Sequence, residues 1–259
     1  AREVRQHEVR ATQHPRAAAP LLRIDRLSAS AYEDLRRCPY RFFALRQLGL
    51  QEPDEIDIDL DKRDFGNWLH KVLSVFHSQL ARDASPEDRP RLLDQAAATV
   101  KRDMRLDDGE FLPFSAAWAQ VREGYLAWLQ KHEAQGARFQ EAEAEHEIAV
   151  GSLQLFGRID RVDILPGGSR MVMDYKTESL PVTQERVKSP GEDTQLAFYA
   201  ALLGDDELRA AYVNVGERGE TRTVEQTDVA RARELLLAGI AHDLDRIAQG
   251  AALPALGEG

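Results

Sequence analysis

Two runs of strand-forming residues with a short gap between them constrain the fold of this chain most. Residues 153–165 and 170–176 are rich in apolar and β-branched side chains. A Pro-Gly-Gly tripeptide lies in the gap, and proline and glycine both favour a loop there. The pattern predicts an antiparallel hairpin in which Ile164 pairs with Arg170 and the five residues Leu165–Ser169 form the loop.

Charged residues interrupt this otherwise apolar hairpin. In the register given above Asp160 lies opposite Asp174, and side-chain alternation places Lys176 on the same face. A Gly-Ser turn before the hairpin brings Glu147 to that face as well. Carboxylates that converge repel one another unless a cation bridges them, and oxygen ligands suit Mg2+ or Mn2+. Such a site could hydrolyse phosphodiesters, with the lysine orienting the attacking water or neutralising developing charge.

The same hairpin has a simpler interpretation. Charged residues are common on the exposed face of an antiparallel sheet. Asp160, Asp163, Asp174 and Lys176 would then form cross-strand ion pairs in contact with water. The hairpin alone leaves both interpretations open.

The spacing of apolar residues changes between the two halves of the chain. In Asp64–Leu80 they recur at helical spacing, which predicts an amphipathic helix with one buried stripe. Later segments alternate as strands do. The other predicted helices are 31–37 with a continuation to 49, about 89–104, about 116–134, 189–204 and about 229–249, and the other strands are 146–150, 211–215 and a last pair around a turn at 217–219.

This order of elements predicts an α/β (α+β) fold with a mixed β-sheet. The helical N-terminal part covers about residues 27–134, and the sheet-containing core covers about 143–250. Both belong to one predicted domain, 21–259. Residues 1–20, rich in Ala, Arg, His and Pro, are predicted to be a flexible tail or linker, and an acidic loop is predicted at 52–61.

Composition excludes several classes of protein. The chain is 43% hydrophobic and 30% charged, as globular proteins are, and lacks the run of about 18 apolar residues that a membrane-spanning helix needs. The net charge of -10 argues against a protein that coats nucleic acid through its overall field, although a local basic track stays possible. The single cysteine, Cys38, cannot close an internal disulfide, as is usual in a reducing cytoplasm. Ala1 in place of Met suggests an excerpt from a longer protein or a processed one.

The spacing of Asp160 and then Asp174-x-Lys176 on the next strand resembles the PD-(D/E)XK nuclease superfamily. Further matches point to its RecB-like branch, above all to the nuclease domains of RecB and AddB helicase-nucleases, and extend from Leu27 to about Pro254. The resemblance implies a restriction-endonuclease-like mixed sheet flanked by helices. The matching segments are Leu27-Ser28-Ala29-Ser30 with Cys38-Pro39-Tyr40-Arg41-Phe42-Phe43, Phe65-Gly66-Asn67-Trp68-Leu69-His70, Asp174-Tyr175-Lys176-Thr177 and Gln195-Leu196-Ala197-Phe198-Tyr199.

The resemblance also implies roles for residues outside the hairpin. It assigns His70 to the metal together with Asp160, Asp174 and the backbone carbonyl of Tyr175, and it makes Lys176 the catalytic lysine. From the residues alone, His70 could equally be a solvent-facing helix histidine, for which His77 two turns later serves as a comparison.

Three further residues are candidates for supporting roles. Gln195 and Tyr199 are four residues apart on one helix face, where they could contact DNA, brace the lysine or simply pack on the sheet. Glu147 is a candidate outer-shell or second-metal carboxylate.

Cysteine usage departs from the AddB pattern. Related nucleases that hold an iron-sulfur cluster place one cysteine in a Cys-Pro-Tyr-like motif and three more after the last helix. This chain has only Cys38, so it cannot build the cluster by itself, and further cysteines would have to lie outside it. By default Cys38 is expected to be a small buried residue.

The expected function is that of a Mg2+- or Mn2+-dependent deoxyribonuclease, with exonuclease action in DNA repair or recombination. Its expected partners are DNA and a helicase domain or subunit, in a bacterial cytoplasm. Arg36, Arg37, Arg41 and Arg46 could supply a phosphate track or an ordinary charged helix face. One alternative is an inactive DNA-binding or scaffolding module with the same fold, which the intact Asp-x-Lys disfavours. Another is the CRISPR-adaptation type of RecB-like exonuclease, which the helical insert between Ser85 and Glu133 disfavours.

Overall fold

The computed structural model describes residues 16–17, 23–50, 62–80, 86–109 and 111–256. Most of the predicted tail and all of the predicted acidic loop at 52–61 therefore lie outside the described residues. The helices are α1 (Ala29–Arg37), α2 (Pro39–Phe42), α3 (Lys62–Leu80), α4 (Arg89–Asp103), α5 (Leu112–Ala134), α6 (Leu180–Lys188), α7 (Gln195–Leu203) and α8 (Val229–Ala248), with a π-helical turn at Phe43–Gln47 and a 3-10 turn at Pro86–Asp88. The strands are β1 (Arg16–Ala17), β2 (Arg26–Leu27), β3 (Arg138–Val150), β4 (Leu153–Ile164), β5 (Arg170–Lys176), β6 (Arg209–Val215), β7 (Thr221–Gln226) and β8 (Leu253–Pro254).

The chain divides into two compact units. One comprises residues 1–24, 30–52 and 240–259. Within it β1 pairs antiparallel with β8, and the Tyr32 hydroxyl lies 3.2 Å from a carboxylate oxygen of Asp243, to which it donates a hydrogen bond. Cys38 is buried at the junction of α1 and α2.

The other unit comprises residues 25–29 and 53–239 and contains a mixed six-stranded sheet. Its strands run in the order β2-β4-β5-β6-β7, and β3 also pairs with β4. The β2–β4 and β5–β6 pairs are parallel, whereas β3–β4, β4–β5 and β6–β7 are antiparallel. The predicted mixed sheet flanked by helices is confirmed.

The register of the central hairpin agrees with the prediction. Ile164 pairs with Arg170, and the ladder continues to the pair of Arg161 with Met173. The Leu165 N–H donates to the Ser169 carbonyl at 2.8 Å, which closes the loop. Gly167 and Gly168 have φ of 93° and 96°, a region that side chains with a Cβ rarely enter, so glycine suits both positions.

An apolar core forms between the sheet and the helices α3 to α5. The predicted stripe of α3 is buried, with Phe65, Leu69, Leu73 and Phe76 each 1% exposed or less. Full burial of such a side chain contributes roughly 1.5–3 kcal/mol. Trp68 adds edge-on ring contacts from the same helix. In the part of the chain that the structure describes, no helix is both long and apolar enough to cross a membrane.

The predicted helix at 189–204 is wrong in its first third. The segment Ser189–Thr194 is a turn in which the N–H groups of Glu192 and Asp193 donate to the Ser189 carbonyl. Pro190 and Gly191 therefore separate two helices, α6 and α7, as is common where these residues follow a helix end.

Other boundaries also differ from the prediction. Helix α1 begins at Ala29 rather than at residue 31, and helix α5 begins at Leu112 rather than at about residue 116. Strand β3 begins at Arg138 rather than His146, because its first half pairs with the end of β4 across a shift in register between Phe139 and Glu141.

Candidate active site

Helix α3 presents His70 to the hairpin. One ring nitrogen, Nδ1, lies 2.9 Å from Asp160 Oδ2, and the other, Nε2, lies 2.8 Å from the Tyr175 carbonyl oxygen. Both nitrogens thus face acceptors, which suits an imidazolium. Burial alone would lower the pKa of His70, but the hydrogen bond to Asp160 and the charges of Asp160 and Asp174 raise it to about 9.

Asp160 and Asp174 are both buried on the same side of the hairpin. Asp160 Oδ2 accepts a hydrogen bond from the Tyr175 N–H at 3.0 Å. Asp174 is only 1% exposed. Its burial and the nearby Asp160 charge, opposed by Lys176, raise the pKa of Asp174 to about 6. Two buried carboxylates that lie close together would stabilise a bound cation.

The two oxygens of Asp174 have different surroundings. Oδ1 accepts hydrogen bonds from Gln195 Nε2 at 2.5 Å and from the Tyr199 hydroxyl at 3.3 Å. Oδ2 lies 2.7 Å from Lys176 Nζ in a close ion pair. Lys176 is the partner of this buried oxygen among the described residues. A divalent ion would compete with Lys176 for it.

Gln195 connects the lysine to the aspartate. Its side-chain oxygen accepts a hydrogen bond from Lys176 Nζ at 2.7 Å while its nitrogen donates to Asp174. Gln195 is the first residue of α7, and the turn before it is tied to α6 by Arg186, which pairs with Asp193 at 2.6 Å. The predicted pair of Gln195 and Tyr199 therefore lies at the site, on one face of α7.

Glu143 is a site residue that the sequence analysis missed. Its carboxylate, His70 and Asp160 offer ligand atoms that all lie within 4.8 Å of one another. In the ladder between β3 and β4, Ala142 pairs with Arg161 and Ala144 pairs with Ile159. Glu143 and Asp160 are the residues between these two pairs. The signal was present, because glutamate alternates with other residues from 141 to 147, but the predicted strand began at His146, three residues after Glu143.

The backbone at Glu143 is unusual. Its φ of 50° places a non-glycine residue in the left-handed region, a conformation that costs energy and is concentrated at functional sites. Burial and the charge of Asp160 raise the pKa of its carboxyl group, while His70 and Arg158 oppose the rise. Arg158 Nη1 lies 3.5 Å from Glu143 Oε2.

Glu147 lies apart from this group. It is opposite Phe156, as the predicted turn requires, but its side chain is 45% exposed and its nearest cation is Arg26 at 3.4 Å. The structure therefore brings together His70, Asp160, Asp174, Tyr175, Lys176, Gln195 and Tyr199 but not Glu147.

Residues 26–258 match the family described as the PD-(D/E)XK nuclease superfamily. The chain belongs to this superfamily. Nucleases of the superfamily use divalent metals, and the carboxylate and imidazole donors of this one suit such an ion.

Curated relatives of this PD-(D/E)XK protein are bacterial. It is 27% identical to an uncharacterized protein of Rickettsia bellii over 168 residues, which are 61% of this chain and 19% of the relative. It is 28% identical to one subunit of the ATP-dependent helicase/deoxyribonuclease of Streptococcus equi subsp. zooepidemicus over 198 residues, which are 74% of this chain and 18% of the relative. The chain thus spans about a fifth of the length of these relatives.

A solved protein of Eubacterium rectale, provisionally named an exonuclease, aligns with 89% of this chain and 84% of its own at 12% identity and a TM-score of 0.48.

The predicted arginine track lies in the other compact unit of this PD-(D/E)XK protein. Arg37 pairs with Glu33 at 2.7 Å, and Arg41 and Arg46 both pair with Asp34. The guanidinium of Arg36 lies 5.9 Å from the centre of the Tyr32 ring. The phosphate track therefore stays a prediction.

Proposed function

We propose that this chain is a divalent-metal-dependent deoxyribonuclease that hydrolyses phosphodiester bonds at the site around Asp160 and Asp174. One observation supports this most: the buried carboxylates of Asp160 and Asp174 converge beside Lys176, whose Nζ lies 2.7 Å from Asp174 Oδ2. Buried carboxylates that converge beside a lysine are suited to hold a metal ion next to a water nucleophile.

The proposed ligands of Mg2+ or Mn2+ are His70, Asp160, Asp174 and the Tyr175 carbonyl, joined by Glu143. These groups supply mostly oxygen donors, which such ions prefer. A divalent ion held there would polarise a phosphate oxygen and make a water molecule more acidic. Because both ring nitrogens of His70 donate, to Asp160 and to the Tyr175 carbonyl, the ring would release one proton to solvent and lose that hydrogen bond in order to ligate an ion.

Lys176 is proposed to orient the attacking water and to stabilise negative charge on the phosphate. An ammonium group has three N–H donors. Among the described residues Lys176 Nζ is engaged by Gln195 and Asp174, which leaves donor capacity for water or phosphate. Gln195 holds the amine in place, and Tyr199 orients Asp174.

We further propose that the domain acts as an exonuclease within a larger protein or complex that contains a helicase, in DNA repair or recombination. The streptococcal relative's name includes both activities, and the matched segment is 18% of that relative. The net charge of -10 suggests that much of the affinity for DNA comes from sequence outside this chain. A cytoplasmic location, expected from the family, stays a prediction.

The first test is cleavage of end-labelled linear single-stranded and double-stranded DNA in Mg2+ or Mn2+. The native chain is compared with Lys176→Ala and with Lys188→Ala, an exposed lysine that pairs only with Glu185 among the described residues. We expect cleavage by the native chain and Lys188→Ala, and none by Lys176→Ala or in EDTA. Products shortened progressively from one end would indicate exonuclease action, and internal fragments would contradict it.

Two outcomes would contradict the proposal. Cleavage that persists in Lys176→Ala would show that another protein or another site is responsible. A folded native chain that binds Mn2+ but cleaves no DNA would favour the scaffolding alternative, which a retest with the longer protein would then have to overturn.

A further inference from the structure

A buried charged cluster lies on the face of the hairpin opposite the proposed active site. Arg161 is 1% exposed and Asp163 is fully buried. The Arg161 guanidinium donates two hydrogen bonds to Asp163, each of 2.8 Å, and lies 5.6 Å from the ring centres of both Trp128 and Phe139. His132 Nε2 adds a third contact to Asp163 at 2.8 Å. The proposed chemistry uses none of these groups.

The remaining Arg161 nitrogen reaches helix α3. Arg161 Nη1 donates to His77 Nε2 at 2.7 Å and to the Tyr125 hydroxyl at 3.1 Å. His77 Nε2 also lies 2.6 Å from the Tyr125 hydroxyl. Because a guanidinium can only donate, its hydrogen bond to Nε2 requires the neutral ring with the proton on Nδ1. Burial and the Arg161 charge accordingly lower the pKa of His77 well below its usual value. His77 is 1% exposed, so its expected role as a solvent-facing comparison is wrong.

His70 and His77 attach the same helix to the same two strands. They are seven residues apart, close to two helical turns, and so share one face of α3. His70 meets Asp160 of β4, and His77 meets Arg161, the next residue of that strand, on the other face. A small slide or rotation of α3 would therefore alter both contacts together.

Tyr175 provides a second connection between the buried charged cluster and the proposed active site. Its backbone N–H binds Asp160 and its carbonyl accepts from His70, while its hydroxyl lies 2.9 Å from the Tyr125 hydroxyl. Arg161 Nη1 also lies 3.4 Å from the Tyr175 hydroxyl. Both strands and α3 thus converge on the Arg161 guanidinium.

We propose that Arg161 and His77 are positioning residues that set the place of α3 on the sheet, and thereby the placement of His70 against Asp160 and the Tyr175 carbonyl. The inference rests on the proposed function, because it treats these three groups as metal ligands. Groups that orient the ligands of a metal commonly govern its affinity without touching it. The guanidinium suits this role because it offers several donors in a rigid plane, and a buried ion pair has one favoured geometry.

The test measures Mn2+ affinity by isothermal titration calorimetry in four forms of the chain: native, His77→Phe, His77→Gln and Leu93→Ala. Phenylalanine keeps a ring but offers Arg161 no acceptor, whereas glutamine restores an acceptor oxygen. Leu93 is fully buried on α4, so its truncation lowers stability without removing a polar contact. Each form is measured well below its own unfolding temperature, which circular dichroism determines.

We expect His77→Phe to raise the Mn2+ dissociation constant about tenfold, His77→Gln to restore part of the affinity, and Leu93→Ala to keep the native value. Native affinity in folded His77→Phe would overturn the inference and leave the proposed nuclease intact. Equal weakening in Leu93→Ala would also overturn it, since general destabilisation would then be the cause. If the native chain binds no Mn2+, the proposed metal site itself is wrong and the inference fails with it.

Discussion

Asp174 and Asp163 are both buried aspartates of one hairpin, but they lie on opposite faces and have opposite surroundings. Asp163 accepts from Arg161 through both of its oxygens, and from His132. Although burial raises its pKa, the bonds to His132 and Arg161 lower it below the usual value. Asp174 has a single cation, Lys176, 2.7 Å from one of its oxygens, and burial together with the Asp160 charge raises its pKa to about 6.

The difference separates a charge with a structural role from one with a proposed function. A buried carboxylate whose oxygens all accept hydrogen bonds from cations stabilises the arrangement around it, and breaking the pair is costly. Asp174 lies beside one cation, Lys176, but its raised pKa indicates that this contact does not offset its burial, so a divalent ion would stabilise its charge further. The hairpin therefore has one polar face that contacts α3, and a second face that we propose holds a metal.

Asp174→Asn should have the largest effect on activity. We expect DNA cleavage to fall by at least about 10^3-fold, because a main proposed ligand loses its charge. The metal-free variant should unfold at a temperature no lower than the native chain, because burial raises the pKa of Asp174 to about 6 in spite of Lys176, so removing the charge relieves more than the lost ion pair costs. Cleavage assays and thermal unfolding without metal check the two parts, with exposed Asp206→Asn as the control. A large fall in unfolding temperature would remove the contrast with Asp163.

Asp163→Asn should have the largest effect on stability. It leaves Arg161 buried without its anion, so we expect the free energy of unfolding to fall by about 3–5 kcal/mol. Urea denaturation measures this quantity. The double variant Arg161→Met with Asp163→Leu should be less destabilised, because it removes both charges together. Equal losses of unfolding free energy in the single and double variants would show that an unpaired Arg161 charge is not what destabilises Asp163→Asn.

A smaller effect should distinguish two glutamates of β3. Glu143→Gln is expected to raise the Mn2+ dissociation constant at least about tenfold, because Glu143 lies with His70 and Asp160. Glu147→Gln, four residues along the same strand, should leave it unchanged, since Glu147 faces Arg26. Titration calorimetry of both variants provides the comparison. The reverse order of effects would restore Glu147 as the acidic ligand.

The pH dependence of stability should show the smallest effect. His77 has a folded-state pKa well below the unfolded value of 6.5, owing to burial and to the charges of Arg161, Arg89 and His132. The unfolded chain therefore binds more protons at this position, and stability is lost as pH falls below 6.5. The loss approaches about 1.4 kcal/mol per pH unit.

Urea unfolding of native and His77→Phe chains between about pH 5 and pH 7 isolates this contribution. The native chain should lose more stability than the variant over this interval, because phenylalanine cannot take up a proton. Asp163 does not interfere, since its lowered pKa matters only in stronger acid. Parallel curves for the two chains would mean that His77 becomes protonated in the folded state.

Much of the site could be predicted because it depends on local rules. Strand alternation and loop length were enough to pair Ile164 with Arg170 and so to bring Asp160 near Asp174. Helical spacing placed Gln195 and Tyr199 on one face of α7. The role of His70 came from the family resemblance rather than from its own surroundings. Glu143 escaped because its position depends on where β3 begins and on a left-handed backbone conformation.

The sequence by itself determined the hairpin, its register, the buried stripe of α3 and the motif that marks the superfamily, since each follows from residues close together in the chain. Only the tertiary structure decided which partners each buried charged group meets. Whether Asp163 meets Arg161, whether His77 faces water or a guanidinium, and whether Glu143 or Glu147 reaches the site depend on how helices dock on the sheet. Those contacts join residues far apart in sequence, and their energies arise only once packing excludes water.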